Sequence, residues 1–487
     1  MKRITLLALL GLICLSFSSS AQILTKKSYQ FDSEPVAGLK SNSITDIFIV
    51  NDKVIFLGTG KGLARTEDGG QTWVTYTDKH GIGKGGVSAI AVKDSVVWVA
   101  TAFDSVILEQ HEAIGGGVSY STDLGKTWTH LPQPMPTPNW TIVNNVIYDI
   151  AIIDSTVWVA AFGGGLMKSS DMGRTWLVRP PDGYNFNPDE YLSHRVFSLL
   201  AIGDTLWVGT AGGINVSYDG GETWPTEMLF NHQHGEAPIS GNFVVALDVQ
   251  KLNGQNIIWA ATINAEDPDE FRAVSKTADG GRTWATYLPG KFTYNFAFDG
   301  EAVYAATDSG LWKSPDGGQN WDVFPQIEDS DSPEKMYASE FYGVAITPQP
   351  NHALWVGSSD GLAVSLDDGL NWNIMRAFVK TGVEGEPRVY AYPNPFTPMR
   401  FNQIGNDGFV RFQFNTINAT HARIRIFDFA MELITTIDGG SWSANTDASV
   451  AWNCRDDDGN LLANGVYFYQ LELSGDGKYW GKLIIVD

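Results

Sequence analysis

The sequence predicts an all-β chain in which a seven-bladed β-propeller, at about residues 41–380, is followed by a small Ig-like β-sandwich at residues 390–487. Three observations lead to this prediction. An eight-residue motif occurs seven times between Thr66 and Trp372, and each copy lies among four short predicted strands. After the last copy, short segments alternate polar and apolar side chains. Helical periodicity is nearly absent beyond the N-terminal leader, so both parts are predicted to consist of strands and turns.

The repeated motif, called the box below, has the pattern Ser/Thr-x-Asp-x-Gly-x-Thr/Asn-Trp, as in residues 217–224. Its Asp can accept backbone N–H bonds in a tight turn, and its Gly adopts positive φ without steric cost. Its Trp offers a large apolar face for packing. The box therefore predicts a hairpin turn between two strands. We assign this structural role to Asp68 and Trp73, Asp123 and Trp128, Asp171 and Trp176, Asp219 and Trp224, Asp279 and Trp284, Asp316 and Trp321, and Asp367 and Trp372.

The residues around each box also repeat. An apolar run ending in small residues precedes most copies, as at residues 54–59 and 206–210, and another short strand precedes each run. The box tryptophans follow one another at intervals of 37 to 60 residues. A repeat of this size with four strands is typical of a propeller blade, so seven repeats predict seven blades.

The boxes resemble the Asp-box, or BNR, repeats of sialidases, sortilin-type receptors, xyloglucan hydrolases and photosystem II assembly factors. The resemblance covers about residues 41–380. It implies that the box is a structural turn on the outside of a blade. It implies little about function, because one fold supports many functions.

The first 21 residues are predicted to be a signal peptide. Lys2 and Arg3 precede an apolar run, and Ser19, Ser20 and Ala21 supply the small residues of a cleavage site. Ile13 occupies a position where a lipoprotein signal needs a small residue, so we expect simple Sec export, and residues 22–40 form a lead-in to the propeller. No other segment is long and apolar enough to cross a membrane.

Composition excludes some partners. The net charge of −22 disfavours binding to nucleic acid or anionic lipid. Once the leader is removed only Cys454 remains, so no disulfide can form within the chain. We expect a monomer whose stability comes from stacking of the blades.

A polar linker containing glycine and proline is predicted at residues 381–389. Alternating strands follow, including residues 410–414, 422–427 and 465–471, with a turn at Asp458 and Gly459 and a last strand at residues 479–486. About seven short strands in this space indicate an Ig-like sandwich.

This tail resembles the Ig-like domain of flagellar hook-capping proteins and the C-terminal sorting domains of proteins exported by Bacteroidetes-type bacteria. The matching residues include Trp452 and the segments 392–396, 426–428, 457–459, 464–469 and 481–484. Met431 and Cys454 stand where the family usually has glycine. The resemblance implies export by a type-IX-like route through contact with secretion machinery, followed by surface attachment or release. The alternative is an ordinary spacer domain.

Function is expected on one face of the propeller. All seven boxes are predicted on the same face, and long connections, including residues 103–117, 132–145, 180–194, 231–242, 264–273 and 326–340, on the other. Long loops on a rigid scaffold commonly carry function. We therefore name as candidate ligand-binding residues Trp140, Tyr184, Tyr191, His194, Arg195, His232, His234 and Tyr337. The alternative is that these side chains only pack the loops.

No cofactor or metal site is predicted. His232 and His234 provide too few ligands, and residues 456–460 lack the spacing of a calcium loop. The hypothesis we favour is a secreted or surface-displayed propeller that binds a polysaccharide or a protein.

Two alternatives remain. One is an assembly factor with a protein client. The other is a secreted glycoside hydrolase, which needs two opposed carboxyl groups. Sialidases use three arginines, and their motif in the first blade is missing here, while xyloglucan hydrolases pair two propellers and this chain has one. Carboxyl candidates on the long-loop face are Asp104, Glu109, Glu112, Asp189, Glu190, Glu236, Glu266, Asp269 and Glu340.

Overall fold

The computed structural model describes residues 34–107, 109–136, 145–399 and 407–486, and shows the predicted all-β fold. Seven antiparallel sheets form a propeller, and two further sheets form a sandwich. These residues contain three short 3₁₀ helices, at Asp78–His80, Leu192–His194 and Thr226–Met228, and no α-helix. None of their helices has the length and apolar character needed to span a membrane. The expected signal peptide lies outside the described residues.

Each blade contains four strands that run in chain order from the innermost to the outermost. Blade 1 consists of β2 (Ile44–Ile49), β3 (Ile55–Thr59), β4 (Gly62–Thr66) and β5 (Val74–Tyr76), and blade 2 of β6 (Gly86–Lys93), β7 (Val96–Ile107), β8 (Gln110–Ser121) and β9 (Thr129–Leu131). Blade 3 consists of β10 (Ile147–Ile153), β11 (Thr156–Ala161), β12 (Gly165–Ser169) and β13 (Leu177–Val178), and blade 4 of β14 (Val196–Ile202), β15 (Thr205–Thr210), β16 (Gly213–Ser217) and β17 (Leu229–Phe230).

Blade 5 consists of β18 (Phe243–Leu252), β19 (Gln255–Ile263), β20 (Ala273–Thr277) and β21 (Ala285–Tyr287). Blade 6 consists of β22 (Thr293–Asp299), β23 (Ala302–Thr307), β24 (Gly310–Ser314) and β25 (Asp322–Val323). Blade 7 consists of β26 (Phe341–Ile346), β27 (Leu354–Ser358), β28 (Gly361–Ser365) and β29 (Asn373–Met375). A short strand, β1 (Val36–Ala37), pairs outside β5.

The box is the turn between the third and fourth strands of every blade. In blade 4 the Ser217 hydroxyl donates to Asp219 Oδ1 (2.7 Å) and accepts the Gly221 N–H (2.9 Å). The other carboxylate oxygen accepts the Thr223 hydroxyl at 2.6 Å. These bonds, from Thr223 above all, lower the pKa of Asp219 to about 2. The Asp therefore organises the whole turn, and the same pattern of bonds recurs in the other boxes.

Each box also packs against the preceding blade. The Trp176 ring meets Trp98 edge-on at 6.4 Å between centroids, and Trp284 meets Trp207 at 6.5 Å in the same way. A Cβ placed on Gly221 would lie 2.4 Å from the Trp158 ring of blade 3. The second glycine of the box is thus required by close contact between blades.

Cations on the third strands make a second connection between blades. Lys168 lies over the Trp158 ring and pairs with Glu222 in the box of the next blade. Lys276 lies over Trp259 and donates to the Gly317 carbonyl at 2.7 Å. Arg65 and Lys313 reach the following boxes in the same manner.

The ring closes by the same contacts, between the last blade and the first. Trp73 meets Trp355 edge-on at 6.2 Å, and Ile44 and Ile47 share a buried core with Trp355 and Leu362. Closure therefore rests on side-chain packing between two blades and on hydrogen bonds from the Gly361 and Ala377 N–H groups to Asn42, at 2.8 and 2.6 Å.

The two faces of the propeller differ as predicted. The boxes lie beside the turns between first and second strands, as the 3.0 Å bond from Gly69 N–H to the Lys53 carbonyl shows. We call this side the box face. The opposite side, the loop face, carries the connections between blades. One predicted loop is wrong: residues 103–117 mostly belong to β7 and β8, which pair with each other far beyond the blade.

The sandwich consists of a three-stranded and a four-stranded antiparallel sheet. Its strands are β30 (Val389–Tyr392), β31 (Val410–Asn415), β32 (Thr420–Phe427), β33 (Leu433–Trp442), β34 (Asp447–Trp452), β35 (Gly465–Leu473) and β36 (Gly477–Ile485). Residues 410–414 alternate apolar and polar side chains, but the polar ones do not face solvent. Instead Arg411 and Gln413 are buried. This side of β31 packs on the last blade, where Arg411 binds Asp360 and Glu334.

Candidate functional site

The loop at residues 180–194, between blades 3 and 4, is held by a buried histidine. The Asn187 N–H donates to His194 Nδ1 at 2.8 Å, so Nε2 carries the proton and donates it to Asp182 at 2.9 Å. Burial raises the pKa of Asp182, but bonds from His194 and Ser193 outweigh it and the net shift is downward. His194 was predicted as a ligand-binding residue; its ring is fully buried and fixes the loop.

Two predicted tyrosines lie together on this loop. The rings of Tyr184 and Tyr191 stack at 5.2 Å with an interplanar angle of 11°. Tyr184 is 61% exposed, so its outer ring face is open to solvent. On the other side Tyr191 contacts the His194 ring at 4.9 Å. The buried histidine thus supports an exposed aromatic platform.

Arg195 leads from this loop to the centre of the propeller. Its Nε donates to the Pro188 carbonyl at 2.7 Å, and its guanidinium lies 5.6 Å from the centroid of Phe162. Phe162 contacts Phe197 at 5.9 Å, which contacts Tyr148 at 5.3 Å. Together with the stacked pair on the same loop, these side chains form what we call the aromatic track: Tyr184, Tyr191, Arg195, Phe162, Phe197 and Tyr148.

The aromatic track ends at a central channel of about 800 Å³ lined by the innermost strands of all seven blades. Tyr148, Phe197, Tyr294 and Tyr342 line it, each one residue after the beginning of its strand on the loop face. We call these four rings the channel mouth. Each stands at a β-bulge, where the register of the innermost strand shifts. These residues lie in predicted strands but were not predicted as site residues. The sequence of one strand does not show which of its sides faces the propeller axis.

Three carboxyl groups line the channel and were also missed. Burial raises the pKa of Asp46 to about 6, and those of Asp149 and Asp248 to about 7. Asp149 accepts the N–H groups of Ile150 and of Leu199 in the next blade, both at 2.7 Å. Asp248 accepts the Val249 N–H at 2.6 Å. No other hydrogen-bond partner of Asp248 is found in the part of the chain that the structure describes.

The other predicted residues do not join this site. His232 is bonded through Nδ1 to the Ile239 carbonyl at 2.9 Å, whereas His234 bonds to Asn231 at 2.6 Å. Tyr337 packs against Phe409 of the sandwich at 4.3 Å and under the Arg411 guanidinium, so the second domain covers it. Trp140 lies outside the described residues.

The nine carboxyl candidates for a hydrolase come from five separate connections. Eight are exposed, and Glu112 is half-buried. Glu340 accepts the Tyr342 hydroxyl at 2.9 Å beside the channel mouth, and Glu190 accepts from Asn187 at 3.1 Å. Across the described ranges, no group of three or more His, Cys, Asp or Glu side chains is arranged to hold a metal ion.

Comparison with known proteins identifies the second domain and the general fold. A family model described as the FlgD Ig-like domain matches residues 402–477. No curated protein is recognisably similar to the chain.

Three solved structures are similar in shape. An ancestral GH74 enzyme is 14% identical with a TM-score of 0.52, over 92% of this chain and 63% of that one. The GH74 enzyme of Niastella koreensis is 14% identical with a TM-score of 0.51, over 93% and 74%. The extracellular domain of a putative one-component system of B. thetaiotaomicron is 14% identical with a TM-score of 0.48, over 92% and 52%. The chain thus spans less than two thirds of the first and about half of the third. At this identity the two GH74 enzymes show the propeller fold alone.

Proposed function

We propose that this protein is a secreted or surface-displayed propeller that binds a polysaccharide or a protein through its loop face, and that its sandwich serves export or attachment. One observation carries the binding proposal: the exposed Tyr184 stacks on Tyr191 in a loop that ends at Arg195, and contacts from Arg195 through Phe162 and Phe197 lead to Tyr148 at an open channel. Aromatic faces supply large contact area at low cost in conformational entropy, and pockets of this size commonly hold ligands.

The binding proposal is tested with Tyr184→Ala and Tyr191→Ala in the full chain, screened on glycan arrays and in pull-downs. We expect each change to weaken binding at least about tenfold, as loss of a central aromatic contact does. Tyr218→Ala is the matched control, because Tyr218 is 51% exposed but lies in a box on the opposite face. Unchanged binding by both loop-face variants, or rapid hydrolysis of a glycan by the wild-type chain, would contradict the proposal.

The role of the sandwich is supported by an apolar surface on its four-stranded sheet. Phe429 is 77% exposed and Trp480 is 50% exposed. Phe429 lies 6.2 Å from Phe468, and Trp480 lies 5.3 Å from Phe427. Exposed apolar clusters of this kind mark sites of interaction with another protein. Secretion machinery is the partner that we propose for this surface.

The export proposal is tested by expressing Phe429→Ser and Trp480→Ser together in a host with a type-IX route, followed by cell fractionation. We expect the folded double variant to accumulate in the periplasm. Ile417→Ser is the control, since Ile417 is 52% exposed on another part of the sandwich. Equal amounts of variant and wild type at the surface or in the medium would leave the sandwich as a spacer.

A further inference from the structure

Carboxyl groups and lysines line different parts of the channel. The innermost strands begin at the loop face, and Asp46 and Asp149 are the third residues of β2 and β10, with Asp248 midway along β18. Lys93 and Lys251 also line the channel, but at the ends of their strands near the box face. Inside the channel, a group that enters from the loop face therefore meets these carboxyl groups before it meets Lys93 or Lys251.

Aromatic rings stand in front of these carboxyl groups. Tyr294 and Tyr342 meet edge to face at 5.2 Å, and the Tyr342 hydroxyl donates to Glu340 at the rim. The faces of aromatic rings attract cations, and more strongly where water is excluded. The channel mouth and the carboxyl groups behind it therefore favour the same sign of charge.

Asp248 accepts fewer hydrogen bonds than Asp149, so it has more acceptor sites left for a ligand. Both oxygens of Asp149 accept backbone N–H groups, one from its neighbour Ile150 and one from Leu199, which joins blade 3 to blade 4. Asp248 makes a single such bond, to its own neighbour Val249, among the described residues. Asp248 is half-buried, and a carboxylate partly withdrawn from water is costly unless a cation or further donors pair with it.

We infer that the channel mouth binds a lysine or arginine side chain of a partner polypeptide. The apolar stem of such a side chain would lie along the rings, with its charge directed to Asp248. The net charge of −22 attracts a basic partner over longer range. A neutral sugar would not supply a counter-ion when Asp248 is ionised, whereas a lysine or arginine would, which is why we favour a polypeptide. The inference rests on the proposed function and narrows its partner class.

The test uses a fluorescein-labelled tri-arginine peptide and the matching tri-citrulline peptide, which has nearly the same shape without the charge. Binding to the full chain is measured by fluorescence polarisation. We expect the arginine peptide to bind more tightly than the citrulline peptide, and Asp248→Asn to weaken it about fivefold or more, as loss of about 1 kcal/mol does. Tyr294→Leu should weaken it as well.

Asp189→Asn is the matched control, because it removes the same charge from an exposed position on the loop face outside the channel. Equal affinity for the two peptides, or equal effects of Asp248→Asn and Asp189→Asn, would overturn the inference. If the arginine peptide does not bind while Tyr184→Ala abolishes binding of a ligand found in the screens, this inference fails and the proposed function stands. If the arginine peptide does not bind and Tyr184→Ala has no effect on any ligand, both this inference and the proposed function fail.

Discussion

Arg411 of the sandwich and Asp360 of the last blade form a buried ion pair between the two domains. Arg411 Nε lies 3.0 Å from one carboxylate oxygen of Asp360, and its terminal nitrogen lies 2.5 Å from the other. Both side chains are 1% exposed. Arg376 and Glu334 complete the cluster, so two cations face two anions. The coulombic effects of Arg376 and Arg411 overcome burial and hold the pKa of Asp360 below its usual value.

Replacing Arg411 with Leu should destabilise the chain by about 3–5 kcal/mol, because it leaves buried carboxylates without enough positive charge. The measurement is the free energy of unfolding of the full chain in denaturant. Arg425→Leu is the matched control, since Arg425 pairs with Glu472 at 2.7 Å in the same domain with its side chain 27% exposed, and pairs in contact with solvent contribute less than about 1 kcal/mol. Similar losses in the two variants would show that the buried cluster does not stabilise the interface.

The positions of the boxes as turns were predicted from the sequence. The positive φ that was given as the reason for the box glycine is only part of the reason. Positive φ alone does not require glycine, because Leu124, Met172 and Asp368 adopt it at the fourth position of the box. At the fifth position a Cβ would collide with a side chain of the preceding blade, which is an aromatic ring in every box except that of Gly173, where Leu131 is nearest. That side chain is distant in the chain, so the pattern within one box could not reveal the contact.

This difference between the two glycines predicts the effect of adding a methyl group. In blade 4, Gly220 has φ +72° with no atom near its missing Cβ, whereas Gly221 has φ +85° and faces Trp158. Both alanine variants should lose about 1 kcal/mol through backbone strain. Gly221→Ala should lose a further 1–3 kcal/mol, roughly, through overpacking against a rigid ring. Denaturant unfolding of the two variants gives the comparison, and equal losses would contradict the role of the contact.

The channel and the domain interface could not be read from the sequence for a related reason. Asp46, Asp149 and Asp248 are far apart in the chain, and closure of the ring alone brings them around one axis. Arg411 stands in an ordinary alternating strand, and no local pattern shows that the propeller covers its polar side. Local patterns predicted strands and turns well. Contacts between units, which form the candidate site, depend on how the units assemble.

Met431 provides a prediction in the sandwich. It stands where the resembled family usually has glycine, and its φ is +66° in the turn after β32. A side chain in this conformation costs about 1–2 kcal/mol, partly offset in glycine by the greater freedom of the unfolded chain. Met431→Gly should therefore stabilise the chain by up to about 1 kcal/mol. Met431→Ala, which keeps the Cβ, should give no such gain. Thermal unfolding of both variants is the measurement, and a gain shared by the two would refute the explanation from backbone strain.

The last prediction concerns the pH dependence of stability caused by Asp248. The pKa of Asp248 is about 7 in the folded chain, whereas an aspartate in the unfolded chain has the ordinary value of 3.8. The folded state therefore holds this proton more strongly than the unfolded state. The group is neutral in both states well below pH 4. As pH rises from 4 to 7 the unfolded carboxyl ionises first, so stability falls over this window and then becomes constant. An asparagine at this position cannot ionise, so the Asp248→Asn variant does not lose stability over this pH window.

Asp248→Asn should therefore be more stable than the wild type by about 2–4 kcal/mol at pH 8, with the difference shrinking toward zero near pH 4. The measurement is denaturant unfolding of both chains from pH 4 to 8. Asp189→Asn is again the control, because its exposed carboxyl group should give a difference nearly independent of pH. A stability difference for Asp248→Asn that does not grow between pH 4 and 7 would mean that the channel does not hold this carboxyl group in its neutral form.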